Sequence, residues 1–138
     1  MCQLNIHYLF PLLDEIKLLL SGNNTVIDIF AFSETFLHEL FHEDELKIPN
    51  YSFQRKDRLV QKGDRLLIYI KDGISFKRRY DLEEIGMEII WLKMRHNVQK
   101  PFVLGCVYRP LNTDNDWNNT FQNKLETVYR KQRSLFSR

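Results

Sequence analysis

Two histidines enclose a glutamate in the segment from His38 to His42, which reads His-Glu-Leu-Phe-His. On a helix this spacing places both imidazoles on one face, where they can bind Zn²⁺ while Glu39 acts as a general base. A catalytic zinc needs a third protein ligand, and His96 is the one histidine that follows. The segment also runs into the acidic stretch Glu43–Glu45. We therefore favour an exposed acidic loop with incidental histidines over a zinc site.

The charged residues are unevenly distributed along the chain. Five acids and no Lys or Arg lie from Glu34 to Glu45, whereas the segment from Lys124 to Arg138 holds five bases and one acid. Two basic clusters lie between these segments. A solvated surface is the simpler interpretation of the clusters, and a surface that follows a phosphate backbone is the alternative. In the second case the nucleic-acid contacts are Arg55, Lys56, Arg58, Lys77, Arg78 and Arg79.

Length and composition indicate one packed domain, or part of a larger one. The chain has 138 residues, of which 43% are hydrophobic and 28% are charged, and this composition argues against disorder. Its two cysteines make a disulfide framework untenable and favour a reducing compartment. No stretch has the roughly 18 uncharged apolar residues that a membrane span needs, and no signal peptide is recognisable. We therefore expect an intracellular protein, nuclear or cytoplasmic, that is neither secreted nor membrane-bound.

The spacing of apolar residues predicts a mixed α/β fold. Leucine and isoleucine recur at helical spacing from Leu9 to Leu20, and Val26–Phe32 has the apolar run of a buried strand. A second helix begins near Asp114 or Asp116, either of which suits the capping position. With a first strand at Gln3–Tyr8, the tally is about seven strands and two helices, in a mixed α/β sheet or sandwich with the helices outside. The five remaining strands are expected at Tyr51–Arg55, Leu66–Ile70, Ile74–Arg78, Glu88–Met94 and Phe102–Tyr108.

Two local patterns make more specific predictions. The Asp72-Gly73 pair follows the rule for short hairpin turns, so the strands on either side of it are expected to pair. An apolar stripe predicts the face of the second helix that packs against the sheet. That stripe consists of Trp117, Phe121, Leu125, Val128 and Tyr129.

The first part of the chain begins with residues 4–6 (Leu-Asn-Ile), continues with an amphipathic helix, and includes Ile27–Leu37 with its Ser-Glu-Thr motif. In this order, the three segments resemble the start of the endonuclease/exonuclease/phosphatase superfamily. The resemblance is to the endonuclease domain of non-LTR (LINE-type) retrotransposon polyproteins. It covers about residues 3–125 of a single partial domain, 1–138, whose last residues, 126–138, diverge. It implies a two-sheet α/β sandwich of the deoxyribonuclease I type, here its N-terminal half. Further segments agree in order: Glu45–Tyr51, Arg55–Arg58, Leu67–Ile74, Trp91-Leu92 and Gly105–Pro110.

The resemblance implies roles for four residues. Glu34 matches the main carboxylate ligand of a divalent metal, and Mg²⁺ (or Mn²⁺) is a hard cation that prefers such oxygen ligands. Asn5 matches the asparagine that helps to hold the metal–water network. Tyr108 matches the tyrosine that contacts the scissile phosphate, and Arg109 follows it with a guanidinium that suits a phosphoryl oxygen. The implied activity is Mg²⁺-dependent cleavage of DNA phosphodiester bonds.

The chain also departs from the family. Phe36 stands where the Ser-Glu-Thr motif usually continues with Trp, and Gly63 alone remains of a run of glycines. The later Gly-Asp-x-Asn and Ser-Asp-His motifs, which supply acid–base and phosphate-binding groups, have no match. Loss of one acid–base group typically costs about 10²–10⁴-fold in rate. We therefore expect little catalysis from this chain alone.

Two functions stay open at this point. Either the chain is the N-terminal half of a DNA-nicking endonuclease domain, active when the other half is supplied, or it is a catalytically dead remnant that binds nucleic acid or protein. Without the other half, we expect the apolar faces of the buried strands to be exposed, or covered by self-association.

Overall fold

A computed structural model describes residues 12–21, 27–33, 43–56, 66–95, 97, 100–110 and 113–133, and the backbone alone at 2–5 and 134–136. These residues form seven β-strands, three α-helices and one 3-10 helix. In chain order the elements are β1 (Cys2–Asn5), α1 (Leu13–Ser21), β2 (Ile29–Ser33), α2 (Glu43–Leu46), β3 (Tyr51–Lys56), β4 (Leu66–Lys71), β5 (Ser75–Arg78), the 3-10 helix (Tyr80–Leu82), β6 (Glu88–Arg95), β7 (Phe102–Tyr108) and α3 (Asn115–Phe136).

The strands form two sheets. The first has the order β1-β2-β4-β3, and the second has the order β5-β6-β7. β1 and β2 are parallel, and every other pair of neighbours is antiparallel. Parallel neighbours need a crossover connection, and the part of the chain between β1 and β2 contains α1.

The two sheets pack face to face through one apolar cluster. Ile68 of β4 and Ile90 and Leu92 of β6 belong to it, as does Cys106 of β7. On the outer face of the first sheet, Leu13, Ile16 and Leu20 of α1 pack against the sheet's aromatic residues. The molecule is therefore a mixed α/β structure with two packed sheets and helices on the outside, as the sequence predicts at this level.

Helix α3 covers the outer face of the second sheet with only part of its predicted apolar stripe. Trp117, Phe121 and Val128 pack there, whereas Leu125 and Tyr129 are exposed. Residues 125 and 129 each follow a residue on the packed side, and one residue turns the helix by about 100°. The prediction of a single five-residue face is therefore wrong at these two positions.

Asp114 is the residue that caps α3. Its Oδ1 accepts a hydrogen bond of 3.0 Å from the backbone N–H of Trp117. This contact satisfies one of the N–H groups that a helix start leaves without an intrahelical partner. Of the two capping residues that the sequence left open, Asp114 rather than Asp116 makes this contact.

The Asp72-Gly73 turn does not form a hairpin, and that prediction is wrong. β4 is already hydrogen-bonded on both sides, to β2 and β3, so it has no free edge for β5. The turn instead carries the chain from the first sheet to the second, where β5 pairs with β6. Gly73 has a φ of 96°, a left-handed value that glycine adopts without the strain that a Cβ causes.

The apolar strand faces that we expected to find exposed are covered within the described part of the chain. All five residues of β2 and the first five of β4 are buried. Large exposed apolar side chains lie on helices, as with Leu18 and Leu19 of α1, and also at Ile85 in a turn and at Phe102, the first residue of β7. Among the described helices, none combines the length and the apolar character that crossing a membrane requires.

Two buried groups make the fold sensitive to alkaline pH. Burial raises the pKa of the Tyr69 hydroxyl, which donates a hydrogen bond of 2.7 Å to the carbonyl of Leu46, and raises the pKa of the Cys106 thiol to about 11. In an unfolded chain the pKa of tyrosine is about 10 and that of cysteine is about 8.5. Because the folded state holds the protons longer, their contribution to stability is complete below the unfolded pKa values and is lost as the pH rises above them.

We expect the urea midpoint of unfolding to fall between about pH 8.5 and about pH 10.5. Tyr69→Phe should make this decline shallower, and should cost about 1 kcal/mol at neutral pH because the carbonyl of Leu46 loses its donor. Tyr80→Phe is the control, because Tyr80 is exposed. A decline that keeps its full slope in Tyr69→Phe would show that Tyr69 does not cause it.

Candidate functional site

The ends of several strands meet at one edge of the first sheet. β1 ends at Asn5, which is paired in register with Ser33, the last residue of β2. β4 begins beside the end of β2, and Lys56, the last residue of β3, lies opposite Leu66, the first residue of β4. Asn5, Ser33 and Lys56 therefore share this edge.

The second sheet joins the same edge through β3. The Nζ of Lys56 donates a hydrogen bond of 3.2 Å to the carbonyl of Ile89, near the start of β6. Glu88, the first residue of β6, is paired in register with Tyr108, the last residue of β7. Asn5 and Tyr108, which sequence reasoning placed in one site, thus lie at one edge of the sandwich. We call this edge, marked by Asn5, Ser33, Lys56, Glu88 and Tyr108, the Tyr108 edge.

The described segment that contains β2 ends one residue before Glu34, the predicted metal ligand. Ser33 is buried at the end of a fully buried strand, and Glu34 is the next residue in the chain but lies outside the described residues. The same holds for Arg58 and for both histidines of the His-Glu-Leu-Phe-His segment, His38 and His42. The predictions that concern these residues therefore stay predictions.

Arg109 is held on the side of α3. Its Nε donates a hydrogen bond of 2.8 Å to the Oγ1 of Thr113, and its guanidinium lies 5.7 Å from the centre of the Trp117 ring. The side chain is exposed, while Tyr108, which precedes it, is half-buried and packs against the cluster between the sheets. The two residues of the Tyr-Arg pair thus have different surroundings.

A buried ion pair lies close to the Tyr108 edge. Arg78 donates to the two carboxylate oxygens of Glu83 at 2.9 and 3.2 Å, and the two side chains are 10% and 8% exposed. Arg78 also donates to the carbonyl of Arg55 at 2.8 Å, which joins the two sheets. The Nζ of Lys56 lies 3.9 Å from Glu83. Burial lowers the pKa of Lys56, and the charge of Glu83 acts in the opposite direction.

The basic cluster at residues 77–79 is divided by the fold. Arg78 points inward to its ion pair, and Arg79 donates two hydrogen bonds of 2.7 Å to Asp81. The hydrogen bond from Arg79 lowers the pKa of Asp81 to about 2. Lys77 is exposed and, within the described part of the chain, makes no hydrogen bond or ion pair. One linear cluster therefore supplies two internally paired cations and one that faces solvent.

Sequence reasoning missed two acidic residues that the structure buries near this edge. Glu83 holds Arg78, and Glu88, which is 6% exposed, lies opposite Tyr108. The charge of Glu88 raises the pKa of Lys56, against the effect of burial. Neither acid stands out in the sequence, although Glu88 begins an alternating strand at a position where its side chain shares the inward parity of Ile90 and Leu92.

The described residues contain no group of three His, Cys, Asp or Glu side chains that could hold a metal ion. The donor set that the resemblance implies consists of the Glu34 carboxylate and the Asn5 amide, and these are the hard oxygen ligands that Mg²⁺ prefers. The chemistry of this set fits the metal, and the backbone of Asn5 lies beside Ser33, the residue before Glu34.

Comparison with known proteins assigns no family to the chain. No protein-family model matches it, and no curated protein sequence matches it. The candidate site therefore depends on the geometry of the Tyr108 edge and on the order of the sequence segments.

Proposed function

We propose that the chain is the N-terminal part of a Mg²⁺-dependent DNA endonuclease domain of the kind found in LINE-type retrotransposon polyproteins. The observation that carries the proposal is the Tyr108 edge, where the strands that end at Asn5, Ser33 and Tyr108 all end on the same side of the sandwich. Glu34 follows Ser33 directly in the chain. Two packed sheets with outer helices are compatible with the deoxyribonuclease I-like sandwich that the family resemblance implies.

In the proposed reaction, Glu34 and Asn5 would hold the metal ion and Tyr108 would bind the phosphate. A bound Mg²⁺ supplies charge neutralisation at the phosphate and helps to activate water. The ring of Tyr108 packs against the cluster between the sheets, which limits its motion, so its hydroxyl would lose little further freedom on donating to a phosphoryl oxygen. Arg109, the next residue in the chain, offers an exposed guanidinium on the side of α3 for the substrate backbone.

Lys56 and Glu88 complete the polar lining of this edge. Glu88 lies beside Tyr108 across the β6–β7 pair, and Lys56 reaches the carbonyl of Ile89, the next residue. Their opposite charges offset one another in a partly buried setting, where an isolated charge is costly. We infer that they position the end of β7, and hence Tyr108, rather than contact the substrate.

The first test is metal binding. Glu34→Gln is expected to weaken Mn²⁺ binding by about tenfold or more, because it removes the carboxylate charge from the proposed ligand set. Free Mn²⁺ can be measured by electron paramagnetic resonance. Asp44→Asn is the matched control, because Asp44 is exposed and pairs with Lys47 at 2.7 Å. Equal affinities in Glu34→Gln and the unaltered chain would remove Glu34 from the site.

The second test separates the two functions that the sequence leaves open. Supercoiled plasmid is incubated with the chain and Mg²⁺, and nicked circles are counted. Nicking that disappears in Glu34→Gln and persists in Asp44→Asn supports the endonuclease. DNA binding without metal-dependent nicking supports the non-catalytic binding module.

A further inference from the structure

Three cations share the outer face of the second sheet. In the β5–β6 register, Lys77 lies opposite Lys93, and Ser75 lies opposite Arg95. Because side chains alternate along a strand, all four are on the face that also carries Trp91. We call the surface formed by Ser75, Lys77, Lys93 and Arg95 the basic face.

The basic face is the part of this sheet that α3 leaves uncovered. Ile89 and Trp91 are buried in the cluster that α3 closes. Further along the same strands, Lys77 and Arg95 are exposed and Lys93 is half-buried. The three cations therefore lie in contact with solvent.

No acid in the described part of the chain offsets these charges. Lys77, Lys93 and Arg95 make no hydrogen bond or ion pair there, and β5, β6 and β7 place no acidic residue on this face. Like charges directly opposite one another destabilise a sheet. Several other cations among the described residues are paired, as Arg78 is with Glu83 and Lys124 is with Glu84. The positive charge of the basic face is therefore not neutralised within the described part of the chain, and it can bind an external anion.

We propose that the basic face docks the phosphate backbone of duplex DNA, at a surface separate from the Tyr108 edge. Glu88 begins β6 at that edge and Arg95 ends the strand, so seven residues at about 3.3 Å each separate the two by about 23 Å. This span is shorter than one turn of duplex, about 34 Å. The proposal depends on the proposed function in one respect, since the docked polymer is then the endonuclease substrate.

The composition of the face favours a nucleic acid over a membrane. Peripheral membrane binding combines cations with large apolar side chains that enter the lipid. The basic face has three cations and a serine but no exposed large apolar side chain. A surface that carries several cations and few apolar side chains fits a backbone of regularly spaced phosphates.

The test compares two triple variants that remove the same charge from opposite sides of the sandwich. One carries Lys77→Gln, Lys93→Gln and Arg95→Gln. The other carries Lys17→Gln, Lys47→Gln and Lys71→Gln, on the side of the first sheet. The dissociation constant of a short duplex is measured by fluorescence anisotropy at several salt concentrations, in EDTA so that cleavage cannot contribute.

The basic-face variant is expected to reduce the slope of log Kd against log salt by about 2–3, since each phosphate contact contributes about 0.9. The control variant should keep most of the slope. An unchanged slope in the basic-face variant, or equal losses in both variants, would overturn the proposal. So would binding to anionic vesicles that the basic-face variant loses while its DNA binding stays intact. Lys93→Gln alone, with an expected slope change of about 1, replaces the triple variant should that variant not fold.

The same measurements distinguish this proposal from the proposed function. Glu34→Gln should keep the full salt slope, because the basic face is intact. If the unaltered chain neither binds Mn²⁺ nor nicks DNA, but the two triple variants still differ in salt slope, the result counts against the endonuclease alone. Nicking by the unaltered chain with no slope difference between the two triple variants would count against the basic face alone.

Discussion

Replacing Glu83 with glutamine is expected to lower the free energy of unfolding by about 3–5 kcal/mol, the range found when one partner of a buried ion pair is removed. The carboxylate of Glu83 accepts two hydrogen bonds from Arg78, and both side chains are almost fully enclosed. Glutamine keeps the shape but leaves the guanidinium without a counter-charge in a poorly solvated site. Lys56, 3.9 Å from Glu83, loses a nearby negative charge as well. Urea unfolding measures the change.

An exposed ion pair of the same segment provides the comparison. Asp81→Asn removes the partner of Arg79, but the Asp81 side chain is 50% exposed, so the expected cost is at most about 1 kcal/mol. The pair of substitutions Arg78→Met and Glu83→Gln should recover part of the loss, because the Arg78 guanidinium is then no longer buried without its counter-charge. If Glu83→Gln costs no more than Asp81→Asn, the ion pair is not stabilising the fold as argued.

The second large effect is expected from adding a single methyl group, in Gly105→Ala. A Cβ at this position would lie 2.8 Å from the Cε3 and Cη2 atoms of Trp91, closer than carbon atoms pack. The Trp91 ring is 4% exposed and lies in the cluster with Val103 and Val107, so it has little room to move. Overpacking of this kind costs about 1–3 kcal/mol, and thermal or urea unfolding of the variant measures it.

If a steric clash causes this loss, the effects of Gly105→Ala and Trp91→Leu should not add up in the double variant. Trp91→Leu removes the ring that the new Cβ would meet, so adding Gly105→Ala to Trp91→Leu should cost much less than adding it to the unaltered chain. Ser75→Ala, at an exposed strand position, is the control for a small change in the same sheet. Strictly additive costs of Trp91→Leu and Gly105→Ala would contradict the clash.

The sequence predicts the positions of strands β4 and β7 well. β7 runs from Phe102 to Tyr108 as expected, and β4 begins at Leu66 as expected, because apolar runs and alternation reflect the burial of each residue. The partner of a strand is a different matter. Asp72-Gly73 has the residues of a hairpin turn, but β4 is the centre of a sheet, and this depends on β2 and β3 from distant parts of the chain.

The site is predictable in part for a similar reason. The order of the motifs predicts one site for Asn5 and Tyr108, and the strands that carry these two residues end on the same side of the sandwich. The buried acids Glu83 and Glu88 were missed because a glutamate looks the same in a sequence whether it is solvated or enclosed. The alternation of side chains along β5 predicts what the linear charge cluster does not show, namely that neighbouring cations point to opposite faces of the sheet. It separates the solvent-facing Lys77 from Arg78, which faces the ion pair.

The turn at Asp72-Gly73 also affects how the protein assembles during synthesis. Every strand of the first sheet precedes this turn, and every strand of the second follows it. A ribosome therefore completes one entire sheet before the other begins. Until β6 has left the exit tunnel, the inner face of the first sheet, with Ile68 and Ile70, has no partner. Such transiently exposed surface is prone to aggregation, which is the hazard that chaperones counter.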